Sequence, residues 1–530
     1  MLVVALLVSA TNGGAADEPQ DSDGVRSLPA GAEWFADAKL GIFVHWGPYS
    51  VPAWADDTVV ERGLPVGLAY AEWYWYQQTL LPGGPVGVHH RETFGEEVLY
   101  DDFLDRWDAE RYDPDQWMDL FSRAGAQYAV LTTKHHDGWA LFDSAASDRD
   151  TVDDGPHRDL VRGFVNAARD RGLHVGLYYS LMEWFHPAYT ADDGQQHLGG
   201  SDVLVPRLDP RNPYTSEPVP YRGYEEPVED YVRDHVHVQV DELLSRYEPD
   251  LLWCDADWDV PTDAYWQLGA LLDEYRSNGR TVVVNDRCGQ AGDYTTLEYA
   301  PSIEPQDRFF EATRGLGTSF GYNANETSED LLTGDEAIAL LVDVVAKGGN
   351  LLLNVGPRAD GAIPRIQQER LIALGDWLAV NGEAIYGTRP VDPGLDDDVR
   401  ATRGADATYL LLLSWPRDGI LDIPLSVEVP DQFEYDVLGL DIPARRSGVD
   451  PRRLELGAAP REAAAWAVRL RAVGSDERPD RDEGEQSLTT PLLALTVGGA
   501  LLLGAIGLGR RRRRAAHSPS SAETGATPRA

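Results

Sequence analysis

The chain has 530 residues, too many for one small module, and its 43 % apolar share is enough for extended cores. Its 88 acidic residues against 46 basic ones leave a formal charge of −42, which excludes a nucleic-acid coat protein, since that needs basic surface to displace counterions. Only three basic residues are lysine (Lys39, Lys134 and Lys347) and the acid is spread along the whole chain, a pattern that points to a surface adapted to high salt.

Met1 to Ala10 is apolar and runs into small residues up to Ala15-Ala16, although no basic stretch precedes it. Residues 1–29 therefore read as a secretory signal and leader, so an exported chain is expected. From residue 30 to 387, short β-rich runs alternate with amphipathic stretches, the pattern of parallel strands with helical crossovers. The strand-like runs are 41–44, 128–132, 175–178, 251–253, 282–284 and 350–353, and helical patterns fall at 115–124, 159–171, 228–247 and 335–347. Polar and aromatic residues follow the strands: His45-Trp46, Lys134-His135-His136-Asp137, Tyr179, Asp255, Asn285-Asp286-Arg287 and Asn354. A (β/α)8-like, TIM-type barrel collects such residues at one mouth. A doubly wound sheet usually carries a glycine-rich phosphate turn, and no G-x-G-x-x-G follows the first strand. Residues 187–227, rich in Gly, Pro and Asp, read as a long loop over that mouth.

Beyond Pro390 the texture changes to short strands without crossovers, so residues 390–473 are expected to form a small antiparallel β-sandwich. Residues 474–490 read as an acidic linker that cannot pack. Residues 491–509 form an apolar and glycine run followed by five arginines, Arg510–Arg514; the run reads as one C-terminal transmembrane helix. The arginine-bearing tail, 510–530, would stay cytoplasmic and the rest of the chain would face outside. Two cysteines, Cys254 and Cys288, are too few for a disulfide framework and lack zinc-finger spacing.

Asp255 ends the hydrophobic run Leu251-Leu252-Trp253-Cys254, where an acid at an enclosed mouth is a candidate nucleophile or general base. Glycoside chemistry needs a second carboxylate, and Glu298, Glu304 and Glu311 all follow in the region read as loop after the 282–284 strand. His135 and His136 are adjacent and show no further ligands at metal spacing, so neither a metal nor another cofactor is expected. Both imidazoles can instead donate to hydroxyls. Tryptophans concentrated in the same segment, among them Trp46, Trp73, Trp184 and Trp253, suit stacking on a pyranose.

Several motifs then carry a family resemblance. Gly41-Ile42-Phe43-Val44-His45-Trp46-Gly47, Thr132-Thr133-Lys134-His135-His136-Asp137-Gly138 and Gly176-Leu177-Tyr178-Tyr179-Ser180-Leu181 occur in order. Glu183-Trp184-Phe185-His186-Pro187, Val283-Val284-Asn285-Asp286-Arg287 and Gly348-Gly349-Asn350-Leu351-Leu352-Leu353-Asn354-Val355-Gly356-Pro357 follow. Together, over residues 30–390, they resemble the α-L-fucosidases of glycoside hydrolase family 29. The resemblance implies a retaining exo-glycosidase acting on fucosylated oligosaccharides or glycoconjugates, with Asp255 as nucleophile. It implies sugar contacts at His45, Glu72, His135, His136, Tyr179, Trp253, Arg287 and Phe320. Glu298 is the expected acid/base and Glu311 its rival. Two other readings remain: a sugar-binding surface protein that has lost catalysis, and a glycosidase for another α-linked sugar of the same ring configuration.

Overall fold

The computed structural model describes residues 28–473, apart from 60–61, 64–65, 185, 189–195, 198–203, 206–210, 220–221, 224–227, 256–261, 301–305, 307, 392–397, 443–444, 447–449 and 460–462. Eight strands form one all-parallel curled sheet: β1 (Leu40–Val44), β2 (Tyr128–Lys134), β3 (His174–Ser180), β4 (Leu251–Asp255), β5 (Val283–Val284), β6 (Thr295–Glu298), β7 (Phe310–Gly315) and β8 (Asn350–Val355). Their order is β5-β4-β3-β2-β1-β8-β7-β6, and a single bridge, Asn285 to Tyr294, joins the two edges. Sequence order around the ring is thus preserved, as in a TIM-type barrel.

The strands are apolar on both faces because both faces are covered. Ile42, Val44, Leu252 and Cys254 point outward into the layer between strands and helices, whereas Phe43, Tyr128, Tyr178, Leu251 and Trp253 fill the lumen. Gly41 gives the lumen room: a Cβ there would stand 2.3 Å from the ring of Tyr128, which crosses the barrel to Glu311. Crossover helices include α1 (Pro114–Arg123), α2 (Leu160–Asp170), α3 (His237–Tyr247), α4 (Thr262–Ser277), α5 (Gly334–Ala346) and α6 (Arg365–Asn381). Their starts are written locally. Asp113 and Asp159 accept the Gln116 and Arg162 backbone N–H groups, and Thr333 and Glu336 form a reciprocal capping box.

One expectation needs correction. The region after β5 is not all loop, since Glu298 ends β6 and Glu311 lies on β7. Between β5 and β7 the connections contain only a 3₁₀ turn, Asp286–Ala291, among the described residues, so the helix-strand alternation that marks the other strands is missing. Glu304 lies outside the described residues.

Antiparallel sheets of five and three strands follow, between Arg389 and Ala472. The barrel and these sheets fall in one unit, Met1–Asp476. Ala407, Tyr409, Leu411, Ala465 and Ala467 join the main barrel core, while Arg400 pairs with Asp343 of α5 at 2.7 Å and Trp377 of α6 donates to the Ala465 carbonyl. Among the described residues no helix is long and apolar enough to cross a membrane; the signal-like segment, acidic linker, 491–509 run and basic tail all lie outside them.

Candidate active site

The C-terminal strand ends open on a pocket of about 420 Å³, mouth included, lined by Phe43, His45, Tyr70, Glu72, Trp73, His135, His136, Tyr178, Trp253, Asp255, Arg287, Glu298, Thr313 and Phe320.

Asp255 closes β4 and is 8 % exposed. Its Oδ2 accepts from the Tyr178 hydroxyl at 2.7 Å and its Oδ1 from Arg287 at 2.7 Å, while His136 Nε2 stands 3.6 Å from Oδ2. Burial pushes this carboxyl up, but Arg287, His136 and the Tyr178 hydrogen bond outweigh it and hold Asp255 below the ordinary aspartate value. The other arm of the Arg287 fork reaches Glu298 Oε2 at 2.8 Å. One planar guanidinium thus bonds both carboxylates at once. Glu298 also accepts from the Tyr70 hydroxyl at 3.3 Å, and its side chain is 29 % exposed, so solvent reaches it.

The imidazoles are fixed by groups behind them. Asn354 uses its amide N–H on the Phe320 carbonyl (2.6 Å), so its oxygen takes the His45 Nδ1 proton (2.7 Å) and His45 Nε2 is left as an acceptor. Ser180 donates to the Met182 carbonyl (2.7 Å) and therefore accepts from His136 Nδ1 (2.6 Å), leaving His136 Nε2 as an acceptor beside Asp255. Burial lowers His45 to about 3 and His136 to about 4, and it holds the buried His135 well below the usual histidine value, so all three rings are neutral near pH 7. Glu72 accepts from the Gly321 backbone (2.8 Å) and the Ser319 hydroxyl (3.1 Å), and burial raises it to about 7. Phe320 stacks on His45 at 4.8 Å, and Trp253 lies under Arg287 at 4.9 Å.

Of the residues expected from sequence, His45, Glu72, His135, His136, Trp253, Asp255, Arg287, Glu298 and Phe320 meet in this pocket. Tyr179 does not, and this corrects the expectation. β3 pairs Tyr178 in register with Trp253, which sends Tyr178 to the lumen and Tyr179 outward. There Tyr179 donates to Gln239 at 2.8 Å and accepts from Lys134 at 3.1 Å. Glu311 is also absent from the lining: it is fully buried, accepting from Tyr128 (2.6 Å), Trp253 (2.9 Å) and Tyr294 (3.3 Å). Burial raises Glu311 to about 7, a value suited to an acid, yet it has no path to a substrate oxygen, and access decides the role. Phe43, Tyr70, Tyr178 and Thr313 line the pocket without having been singled out for it, and Trp73 joins them as one of the tryptophans expected to stack on a sugar. For Tyr178 the signal was strand alternation, which needs the register with β4 to be read.

Among the described residues, Glu183, His186 and His235 place ligand atoms at metal-binding separations. Lys134 already sets an ammonium 2.7 Å from Glu183, and both side chains are fully buried, so the protein supplies its own cation there. Cys254 and Cys288 are joined in a disulfide, a single link where sequence gave no framework.

The family model for alpha-L-fucosidase matches residues 11–383. Tissue alpha-L-fucosidase of Rattus norvegicus is 34 % identical over 459 residues, 83 % of this chain and 88 % of that protein. The Bos taurus enzyme is 37 % identical over 412 residues, 75 % and 77 % of the two chains. The crystal structure of Thermotoga maritima alpha-fucosidase superposes with a TM-score of 0.65 at 34 % identity, covering 84 % of this chain and 97 % of that one. The same enzyme in complex with a mechanism-based inhibitor gives 0.66 at 33 % identity over the same shares. With a barrel whose mouth gathers three carboxyl groups, three neutral imidazoles and stacked aromatic rings, and with these relatives matched over most of their length, the chain belongs to the alpha-L-fucosidase family.

Proposed function

We propose that this pocket binds the terminal fucose of a fucosylated glycan and that Asp255 and Glu298 carry the hydrolysis. The chain is a retaining α-L-fucoside hydrolase by family, and the rival readings, a silent sugar-binding protein and a glycosidase for another α-linked sugar, are not favoured. The observation that carries the residue assignment is the Arg287 fork, which brings Asp255 and Glu298, and not Glu311, to one pocket.

Asp255 Oδ attacks the anomeric carbon while the glycosidic C–O bond breaks and its oxygen takes the proton of Glu298. Glu298 then removes a proton from water, whose oxygen displaces Asp255 and releases fucose with retained configuration. His45 Nε2, His136 Nε2 and the Glu72 carboxylate present acceptors to sugar hydroxyls. Phe43, Trp253 and Phe320 offer apolar surface to the ring and its methyl. A methyl is worth only about 1–3 kcal/mol of discrimination, so the hydroxyl acceptors set most of the specificity.

An aryl α-L-fucoside tests the assignment. Asp255→Gly should be inactive and rescued by azide with inversion, giving the β-azide. Glu298→Ala with azide gives the retained α-azide, because azide then intercepts the glycosyl-Asp255 intermediate. The same α-azide from Glu311→Ala and none from Glu298→Ala would transfer the acid/base role to Glu311.

The wider setting is part of the same proposal: an exported enzyme, anchored by the 491–509 run with its catalytic unit outside and working in high salt. The signal-like start, the arginines at 510–514 and the acid excess support this, and the disulfide fits an oxidising compartment. Activity that stays with the membrane fraction and is accessible to protease from outside the cell is expected; release on deleting residues 491–530 completes the test.

A further inference from the structure

Sequence places the two cysteines next to the catalytic clamp: Cys254 directly precedes Asp255, and Cys288 directly follows Arg287. Strand alternation turns Asp255 into the mouth and Cys254 to the outer side of the wall, where both cysteines are fully buried and away from the pocket lining. The disulfide therefore has no contact with substrate. It lies behind the two residues that do the clamping.

Besides the disulfide, the Arg287 turn is held against β4 by a short ladder and by side-chain bonds. The β4–β5 ladder has only two pairs, Leu251 with Val283 and Leu252 with Val284, and stops before Cys254. Past it, the Asn285 side chain accepts from the Cys254 N–H (3.0 Å) and donates to the Cys254 carbonyl (2.9 Å). On the other flank, Asp286 accepts from the Thr296 hydroxyl (2.8 Å) and N–H (3.1 Å). This is the seam where the barrel is joined by one bridge instead of a continuous ladder. The disulfide lies on the other side of the turn, toward β4 and beyond the end of the β4–β5 ladder, and fixes the spacing that backbone pairing leaves free there.

We infer that the Cys254–Cys288 disulfide is a positioning element of the active site, clipping the end of β4 to the turn that carries Arg287 so that the guanidinium spans Asp255 and Glu298. The inference rests on the assignment of those two carboxylates. Without the link the turn relaxes from β4, the Arg287–Asp255 contact loosens, and both the rate and the ionisation of Asp255 respond. Misplacement by about 1 Å at such a clamp costs 10- to 100-fold in rate.

The full-length enzyme is compared with Cys254→Ala, Cys288→Ala, the double variant, and wild type treated with a phosphine reductant, thiols being counted in each and folding checked by circular dichroism. Any folded form without the disulfide decides the question. Expected are a fall in kcat of about 10-fold or more, an acidic limb of kcat/KM displaced toward neutral pH, and recovery of both on reoxidation of the reduced wild type. A folded, disulfide-free form with wild-type kcat and an unmoved acidic limb, altered only in melting temperature, would overturn the inference and leave the link a plain staple. Asp255→Gly in the same assay separates the two failures. If that variant is active, the carboxylate assignment falls; if it is inactive and rescued by azide while the disulfide-free enzyme is unchanged, only the positioning role falls.

Discussion

Replacing Arg287 by methionine removes the cation that touches both Asp255 and Glu298. Arg287 and Asp255 meet at 2.7 Å with side chains 16 % and 11 % exposed, so solvent screens the pair weakly. With charge centres about 4 Å apart and an effective dielectric of about 20, their attraction is about 4 kcal/mol. At 1.36 kcal/mol per pH unit this sets a ceiling of about 3 units on the rise of the Asp255 pKa, within the usual range of about 1–3 for an aspartate beside an arginine. Tyr178 and His136 remain and keep part of the depression. The sign is fixed: Arg287 holds Asp255 down, so its loss raises it, and the acidic limb of kcat/KM, which reports the free enzyme, moves toward neutral by about 1–3 units. Arg287→Lys retains the charge but not the fork, so its limb should move by less than about 1 unit while kcat still falls. The assay is hydrolysis of an aryl α-L-fucoside across the acid range at constant ionic strength. A Met variant whose limb lies within about 0.3 units of wild type would refute the electrostatic account of Asp255.

Tyr178→Phe should lower kcat/KM about 10-fold by removing a charge-assisted hydrogen bond to Asp255, whereas Tyr179→Phe should leave the kinetics unchanged and cost only stability; the reverse ranking would contradict the strand facing described above. Burial raises Glu326 to about 7, so between pH 4.5 and 7 the folded state holds a proton that the unfolded chain has released, and stability falls as pH rises through that window. Glu326→Gln keeps an acceptor for the Thr318 and Ser319 N–H groups, so it should be near neutral at pH 5 and stabilising by about 2 kcal/mol at pH 8 in denaturant unfolding, allowing for partial exposure. Lys134→Met takes the ammonium away from a fully buried Glu183 carboxylate and should destabilise by about 3–5 kcal/mol; a loss below about 1 kcal/mol would show that the remaining partners, His235 among them, suffice.

Local sequence settled a large part of this protein. Short β-rich runs alternating with amphipathic stretches, and polar residues placed after those runs, made the barrel and its active mouth legible. Asp255 stood out because it follows four apolar residues, and the His45, His135–His136 and Arg287 positions followed from strand ends and family motifs. Each of these features depends on residues within one turn or one strand of each other, which is the range over which sequence pattern acts directly.

Three-dimensional packing decided the rest. β6 and β7 were hidden because, among the described residues, no crossover helix separates them, so no change of period announced a strand. The choice between Tyr178 and Tyr179 depended on register with β4, because a shift of one residue exchanges the faces of a strand. Likewise Glu298 and Glu311 are comparable acids on neighbouring strands until the fold gives one of them solvent and the other three buried donors. The cysteines are 34 residues apart and carry no pairing signal in so sparse a set, yet folding brings them together behind Asp255 and Arg287. Sequence determines which side chains stand at the strand ends; which of them share one pocket depends on distances across the barrel, and those are set only when all eight strands close around a common core.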